Sequence, residues 1–415
     1  MISGVVNSKS IWQAPYRPLF FLAGLWALVV PLVWILPEEI ALERTSWHSS
    51  ELLFGMAGAA VGGYLLTVLP AWTKRGPVPP AVTIIASSLW CTARLTAAFS
   101  THFPHLASVI GASAYFVFLA AVLAVALLKA AAWHRLWAPL GAAALGISAA
   151  LSNVYGLNSI GSPWGIYSLL ITAIGGRAVP AFTRHWLVRT GTQTPFRDRP
   201  AFSYLAILGI LAAICIRGTI QNISGYLLML SGAVLLLQMA SWQSLKAARY
   251  PALFILHIAF AWMPAALILN GVAIIFPAQF PPLAALHAMT MGAMGTMIAA
   301  FMMRSASVRN GERLILSRPT TCAFRLLSVS ALLRVFGDGM SAAYFEPVVA
   351  AAVCWMAAWA LFMMVFVQAM SRPVPRPVFS AASRNQAYGK RESDVRPYLQ
   401  NTANRCAVGR PIKEA

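Results

Sequence analysis

The stretch Leu106–Leu128, LASVIGASAYFVFLAAVLAVALL, contains no charged residue and is followed by Lys129. At about 1.5 Å per residue, an α-helix of this length crosses the roughly 30 Å hydrocarbon core of a bilayer. Similar apolar runs recur along most of the 415-residue chain, which is 59% hydrophobic and only 10% charged. A soluble domain of this length needs more charge to solvate its surface. The sequence therefore predicts an all-α polytopic membrane protein.

The apolar runs predict about twelve transmembrane helices in a domain that covers residues 18–370. A cytoplasmic leader over 1–17 precedes this domain, and a basic, disordered cytoplasmic tail over 371–415 is expected to follow it. The predicted spans are 18–36, 48–70, 81–99, 106–128, 138–157, 163–183, 200–220, 223–242, 251–271, 283–303, 320–337 and 347–370.

Lysine and arginine residues are distributed asymmetrically about these spans. Sixteen lie at the N-terminus or in the loops after even-numbered spans, nine lie in the tail, and Arg44 alone lies in an opposite loop. Loops rich in these residues remain in the cytoplasm, so both termini are predicted to be cytoplasmic. The net charge of +20 is thus explained by membrane orientation, and nucleic acid is not an expected partner.

A short motif recurs at the cytoplasmic ends of helices that are four spans apart. Pro70–Lys74 (PAWTK) ends the second span, Pro180–Arg184 (PAFTR) ends the sixth, and Ala300–Arg304 (AFMMR) ends the tenth more loosely. This period predicts three parallel four-helix repeats around a pseudo-threefold axis along the membrane normal. The alternative is that inward-running helices generally end in an interfacial aromatic residue followed by a basic one.

Ionisable side chains inside the predicted spans are costly and are functional candidates. His48 and Glu51 begin the second span, and His287 lies about one turn into the tenth, so these residues are expected near the outer surface. His257 is expected on the order of 15 Å nearer the cytoplasm. The full set comprises His48, Glu51, Arg94, Arg177, Arg217, His257, His287 and Arg334.

Depth decides which histidines could share a haem iron. Two axial imidazoles lie only about 4 Å apart across the metal. His48 and His287 are level and could meet this requirement, whereas His257 could not join His287. Arg94, Arg217 and Arg334 lie at a similar depth and could pair with propionates. The alternative for each histidine is a hydrogen-bonded packing role.

The tenth span also contains a candidate copper site. His287, Met291 and Met294 are separated by four and seven residues, which places them on one face of an α-helix. Thioethers suit Cu(I). Methionine is also a common filler of apolar cores, so packing is the alternative.

Four motifs in this order resemble the NnrS family over all twelve spans. They are Trp47–Gly55 with Gly63–Thr67 and Pro70–Thr73, then Gly175–Arg184, Leu256–Phe260 and Leu286–Met297. The resemblance implies a bacterial inner-membrane protein associated with haem and copper, linked to nitric oxide metabolism and protection from nitrosative stress.

The same resemblance suggests roles for individual residues. His48, His257 and His287 would be the candidate metal or haem ligands, with Glu51 and Arg177 as polar groups of the motifs. The family usually has His-x-His-Glu in the second helix, and Ser50 replaces the second histidine here. A ligand is therefore expected to be missing or replaced.

The layout also resembles the catalytic subunit of haem–copper oxidases, in which helices two and ten bind haem. The copper-binding histidines of helices six and seven have no counterpart in this sequence, which argues against oxygen reduction or proton pumping. The leading prediction is therefore a membrane haem protein of the nitric oxide response, with haem in the outer half of the bundle. A cofactor-free transporter of an anion or metal complex, and a non-catalytic haem sensor or assembly factor, remain open.

Expected partners are the lipid bilayer and nitric oxide or its derivatives, and a homo-oligomer is compatible with the sequence. The question of enzymatic activity stays open, because the spans contain no nucleophile–base pair and no paired carboxylates.

Overall fold

The computed structural model describes residues 11–35, 44–156, 163–191, 196–310, 313–337 and 346–372. The helices are α1 (Tyr16–Val29), α2 (Arg44–Ser50), α3 (Gly58–Thr73), α4 (Pro80–Ala98), α5 (His105–Lys129), α6 (Trp137–Tyr155), α7 (Pro163–Arg189), α8 (Pro200–Ile216), α9 (Gln221–Ala240), α10 (Ser244–Ala247), α11 (Pro251–Ile275), α12 (Pro282–His287), α13 (Thr296–Ala306), α14 (Arg318–Phe336) and α15 (Pro347–Met370). Two π-helical segments, Glu51–Ala57 and Ala288–Gly295, join α2 to α3 and α12 to α13.

The predicted all-α membrane architecture is confirmed. In the described part of the chain, eleven helical segments are long and apolar enough to cross a membrane. The predicted seventh span is α8, which has 17 residues and is shorter than the others, although this length is still within the range that can span a bilayer. The protein is therefore a multi-pass membrane protein.

Helices that follow one another in the chain pack side by side. The most extensive contacts join α9 to α11, α14 to α15, and α5 to α6. The first and last spans also pack together, and the indole nitrogen of Trp355 donates a hydrogen bond to the carbonyl of Ala27 at 2.8 Å. This contact closes the bundle.

The second span (Arg44–Thr73) is the most deeply buried, followed by the tenth (Pro282–Ala306) and the ninth. Glycines on the second span let aromatic side chains of neighbouring helices approach its backbone. A Cβ on Gly58 would lie 2.7 Å from the Phe116 ring, and one on Gly63 would lie 2.8 Å from the Phe20 ring. Small residues thus place this span at the centre of the bundle.

The ends of the chain lie largely outside the described residues. The predicted leader is described only from residue 11 and the predicted tail only to residue 372. Arg17, at the predicted end of the leader, lies inside α1, is fully buried, and donates a hydrogen bond to the carbonyl of Arg372.

Two local features depart from simple helical spans. A short antiparallel hairpin, β1 (Val308–Asn310) and β2 (Arg313–Ile315), follows the tenth span. The recurring motifs also end differently: α3 stops at Thr73, with Lys74 in a left-handed conformation at φ 57°, whereas α7 continues past Arg184 to Arg189. The two motifs thus share an internal proline, but their helices end at different distances from it.

Candidate functional site at the outer ends of the second and tenth spans

The π-helical segment of the second span is held by aromatic side chains from three other helices. In a π-helix the backbone hydrogen bonds run from i to i+5, and such segments often mark functional sites. The carbonyl of Leu53 accepts a hydrogen bond from the Tyr167 hydroxyl at 2.5 Å. The carbonyl of Gly55 accepts one from the Trp90 indole at 2.9 Å, and that of Gly58 accepts one from the Tyr115 hydroxyl at 3.1 Å. These bonds stabilise a backbone geometry that apolar periodicity alone does not predict.

Glu51 begins this π-helical segment and forms a buried ion pair. Its Oε1 accepts a hydrogen bond from Arg94 at 2.8 Å, and its Oε2 accepts one from the Trp26 indole at 2.5 Å. Glu51 is 1% exposed and Arg94 is 6% exposed. A Cβ on Gly55 would lie only 2.7 Å from Trp26, so glycine allows this close approach. Both carboxylate oxygens of Glu51 are therefore hydrogen-bonded within the protein.

His48 lies one helical turn before Glu51 but contacts a different partner. The Trp34 indole donates a hydrogen bond to Nδ1 of His48 at 3.3 Å. Arg334 of α14 is close enough to act on His48 electrostatically. Because Nδ1 accepts a hydrogen bond, the proton of a neutral His48 imidazole is on Nε2.

His287 has the opposite arrangement. Its Nδ1 lies 2.7 Å from the carbonyl of Leu283. A carbonyl can only accept, so Nδ1 carries the proton and the lone pair of the neutral ring is on Nε2. This is the arrangement common among metal-binding histidines, because the backbone bond fixes both tautomer and ring orientation.

His257 of α11 is buried and forms hydrogen bonds to side chains of α7 and α10. Its Nε2 lies 2.8 Å from the Thr183 hydroxyl and its Nδ1 lies 2.9 Å from the Ser244 hydroxyl. Thr183 gives its own proton to the carbonyl of Val179, so it accepts a proton from Nε2, and Nδ1 accepts from Ser244. Both ring nitrogens are thus engaged by hydroxyls. The structure does not bring His257 to the end of the bundle at which His48 and His287 lie. That end is the one predicted to face outward, and it is called the outer end below.

A cavity of about 870 Å³ lies at the outer ends of several helices. The Arg217 guanidinium lies 5.2 Å from the centre of the Trp164 ring, and both residues line the cavity. The wall of described residues includes Ser49 and Leu286, the chain neighbours of His48 and His287, rather than the two histidines themselves. The cavity therefore lies next to the helical turns that carry the two candidate ligands, and Arg217 is the one charged residue in its described wall.

The methionine candidates lie in the second π-helical segment. Because Ala288–Gly295 is π-helical, separations of four and seven residues no longer define one face of the helix. Met294 lines a small apolar cavity with Met297 and Tyr64, whereas Met291 is half-buried. Among the described residues, no three His, Cys, Asp or Glu side chains form a group that could hold a metal ion.

Arg177 is separated from the outer group. It is exposed, and it lies within electrostatic range of Arg135, which begins the fifth span at the opposite end of the bundle. At the outer end, Glu51 of the second span pairs with Arg94 of the third, and His48 lies within electrostatic range of Arg334 of the eleventh. His287 begins the tenth span at the same end, and Arg217 lines the adjacent cavity.

Sequence reasoning missed Trp26, Trp34 and Tyr167. Each bonds to the second span from another helix, at separations of 25, 14 and 114 residues. No spacing rule connects residues that far apart on different spans, so only the packed bundle reveals these contacts.

Comparison with curated proteins found no match. The sequence profile of the family described as NnrS protein matches residues 10–373, which includes all the spans. The matched range contains the four motifs, both π-helical segments and the outer cavity. The chain therefore belongs to the NnrS family.

Proposed function

We propose that this protein is a haem-binding membrane protein of the nitric oxide response, located in the bacterial inner membrane with both termini in the cytoplasm. Family membership supports a role in the nitric oxide response in general. The haem site, the orientation and any copper content are parts of the proposal. The asymmetry of lysine and arginine supports the orientation.

One observation carries the haem proposal: the outer cavity of about 870 Å³ contains a guanidinium and is lined by Leu283 and Leu286, which belong to the same helical turn as the oriented imidazole of His287. Its volume falls within the range of about 300–1,000 Å³ that is typical of ligand sites. Arg217 would pair with a propionate, since guanidinium and carboxylate form two parallel hydrogen bonds.

The two outer histidines fit a haem to different degrees. His287 would be an axial ligand, because its Nδ1–H is held by the Leu283 carbonyl and its lone pair is on Nε2. His48 would have to lose the Nε2 proton, or release Trp34 and bind through Nδ1. His287 is therefore the better supported ligand and His48 the second candidate. A bound haem would supply an iron centre for nitric oxide or a derivative.

The test is an absorption spectrum and metal analysis of detergent-purified protein. We expect a Soret band with stoichiometric iron, which His287→Ala abolishes and His48→Ala weakens or abolishes. His257→Ala is the matched control, because it removes a buried imidazole from the other half of the bundle and should leave the band intact. Loss of haem in His257→Ala alone, with the band retained in the other two variants, would overturn the proposal.

Copper is measured in the same samples. The sequence predicted copper at His287 with Met291 and Met294, and the π-helical period, which does not place the three on one face, speaks against this site. If copper is bound there, removal of both thioethers by Met291→Leu and Met294→Leu should lower copper without changing iron. Equal copper in wild type and double variant would eliminate this site.

A colourless, metal-free protein would favour a second function, that of an anion carrier. The observation that supports this function is the Arg217 guanidinium in the outer cavity, which is suited to a small anion. Uptake of nitrite or nitrate into proteoliposomes, lost in Arg217→Gln, would establish transport. A protein that binds haem but shows no turnover with nitric oxide would instead be a sensor or assembly factor.

A further inference from the structure

The proposed function makes no use of Arg177, although it lies in one of the four family motifs. Arg177 is exposed within an otherwise apolar helix, α7, between the buried residues Gly176 and Val179. It lies six residues before Thr183, the last residue of the predicted span, or about 9 Å along the axis from it. An exposed guanidinium at this depth is costly unless something compensates its charge.

A second guanidinium lies nearby. Arg135, in the connection between α5 and α6, is close enough to Arg177 for the two like charges to interact, and the hydroxyls of Tyr64 and Tyr204 lie within the same range. Arg135 lies over the Trp72 ring at 5.2 Å from its centre. The second, sixth and seventh spans thus each place one of these groups within electrostatic range of Arg135.

Among the described residues, no carboxylate neutralises this pair. Within the described part of the chain, the sole ion pair between side chains is that of Glu51 and Arg94, at the other end of the bundle. The Nε of Arg135 is buried and has no hydrogen-bond partner among the described residues. Two cations within interaction range repel each other when, as among the described residues, no carboxylate pairs with either, and this favours an external anion between them.

The surroundings indicate where that anion sits. Trp72 packs edge-on against Trp137 at 5.7 Å, and Trp133 is 62% exposed nearby in the chain. Tryptophan is enriched at the membrane–water interface. Basic pockets between transmembrane helices at such an interface bind the phosphates of anionic lipids.

We propose that Arg135 and Arg177 form a binding site for a phosphate oxyanion at the basic, cytoplasmic face of the bundle. The phosphate belongs either to an anionic lipid headgroup or to a free phosphate compound. The site is distinct from the outer cavity, so its test does not depend on haem.

The test compares lipids bound to delipidated protein by native mass spectrometry and by the rise in melting temperature on lipid addition. The probes are vesicles of phosphatidylglycerol in phosphatidylcholine, vesicles of phosphatidylcholine alone, and inorganic phosphate. We expect binding of phosphatidylglycerol to weaken about fivefold in Arg135→Gln and in Arg177→Gln. Arg177→Lys should be intermediate, because it keeps the charge but loses the guanidinium fork.

Arg249→Gln is the matched control. Arg249 is an exposed arginine on the same basic face, and its replacement removes one charge without touching the pair. A rise in melting temperature with inorganic phosphate alone, lost in the same two variants, would assign the site to a free phosphate compound. Binding of both probes by Arg135→Gln and Arg177→Gln as tightly as by Arg249→Gln would overturn the proposal.

Discussion

At the scale of single residues, the Glu51 carboxylate has the most constrained environment. Glu51→Gln would leave the Arg94 guanidinium buried without its counter-ion, and breaking a buried pair in this way costs about 3–5 kcal/mol. We expect a correspondingly lower melting temperature of the purified protein in detergent. Trp26→Phe, which removes one hydrogen-bond donor and keeps the ion pair, should cost less, about 1–2 kcal/mol.

The double variant Glu51→Gln with Arg94→Met tests whether the loss of stability in Glu51→Gln comes from the uncompensated charge of Arg94 or from the loss of the contact itself. Removing both charges relieves the uncompensated guanidinium, so the double variant should be more stable than Glu51→Gln alone. A single variant as stable as wild type would show that solvent reaches Arg94.

His257 leads to a different prediction, because its hydrogen bonds are structural. His257→Phe keeps the ring volume but removes the acceptor for Ser244 and the donor to Thr183. We expect a loss of about 1–3 kcal/mol in stability, with an unchanged haem spectrum. A shifted Soret band at normal stability would instead make His257 part of the cofactor site.

At the scale of elements, the close packing of the second span predicts which glycines tolerate a methyl group. Gly55→Ala would place a Cβ 2.7 Å from Trp26, in a π-helical segment that is already fixed by other contacts. Overpacking of this kind costs about 1–3 kcal/mol. Gly218→Ala is the control, because a Cβ there meets no atom within 4 Å. Equal melting temperatures for the two variants would contradict the packing described for this span.

The π-helical segments mark the limit of prediction from sequence at this scale. Apolar residues in 51–57 and 288–295 predicted a continuous helix, and a helix is what the structure contains. In the first segment, backbone carbonyls accept hydrogen bonds from Tyr167 and Trp90, which come from other spans. The local sequence does not show which residues of other spans will donate these bonds. The predicted alignment of His287 with Met291 and Met294 used the α-helical period, which does not apply in the π-helical segment.

At the scale of the whole molecule, the proposed orientation predicts from which side of the membrane a membrane-impermeant maleimide reaches Cys406. In a variant that keeps Cys406 and replaces Cys91, Cys215, Cys322 and Cys354 by serine, the reagent should label inverted vesicles and leave intact spheroplasts unlabelled. Labelling of intact spheroplasts would place the C-terminus outside and contradict the distribution of lysine and arginine.

The spans were predictable because a bilayer imposes a minimum length of apolar helix, which a single sequence shows directly. The depth of His48, His257 and His287 followed from the same count, and the structure places His257 apart from the outer group. Lateral neighbours were not predictable in this way. That Arg94 pairs with Glu51, and that Arg177 lies near Arg135 instead, depends on how helices turn towards one another.

The contact between the first and last spans has a consequence for biosynthesis. The indole of Trp355 and the carbonyl of Ala27 are 328 residues apart, and Arg17 caps a carbonyl of Arg372. The first span is synthesised long before the last one. Until the last span is inserted, the first span is in contact with lipid and Arg17 lacks the Arg372 carbonyl as its hydrogen-bond partner. A chain that stops before Pro347 can insert into the membrane, but it lacks the last span and therefore leaves the packing face of the first span uncovered. We expect membrane quality-control proteases to degrade such a chain.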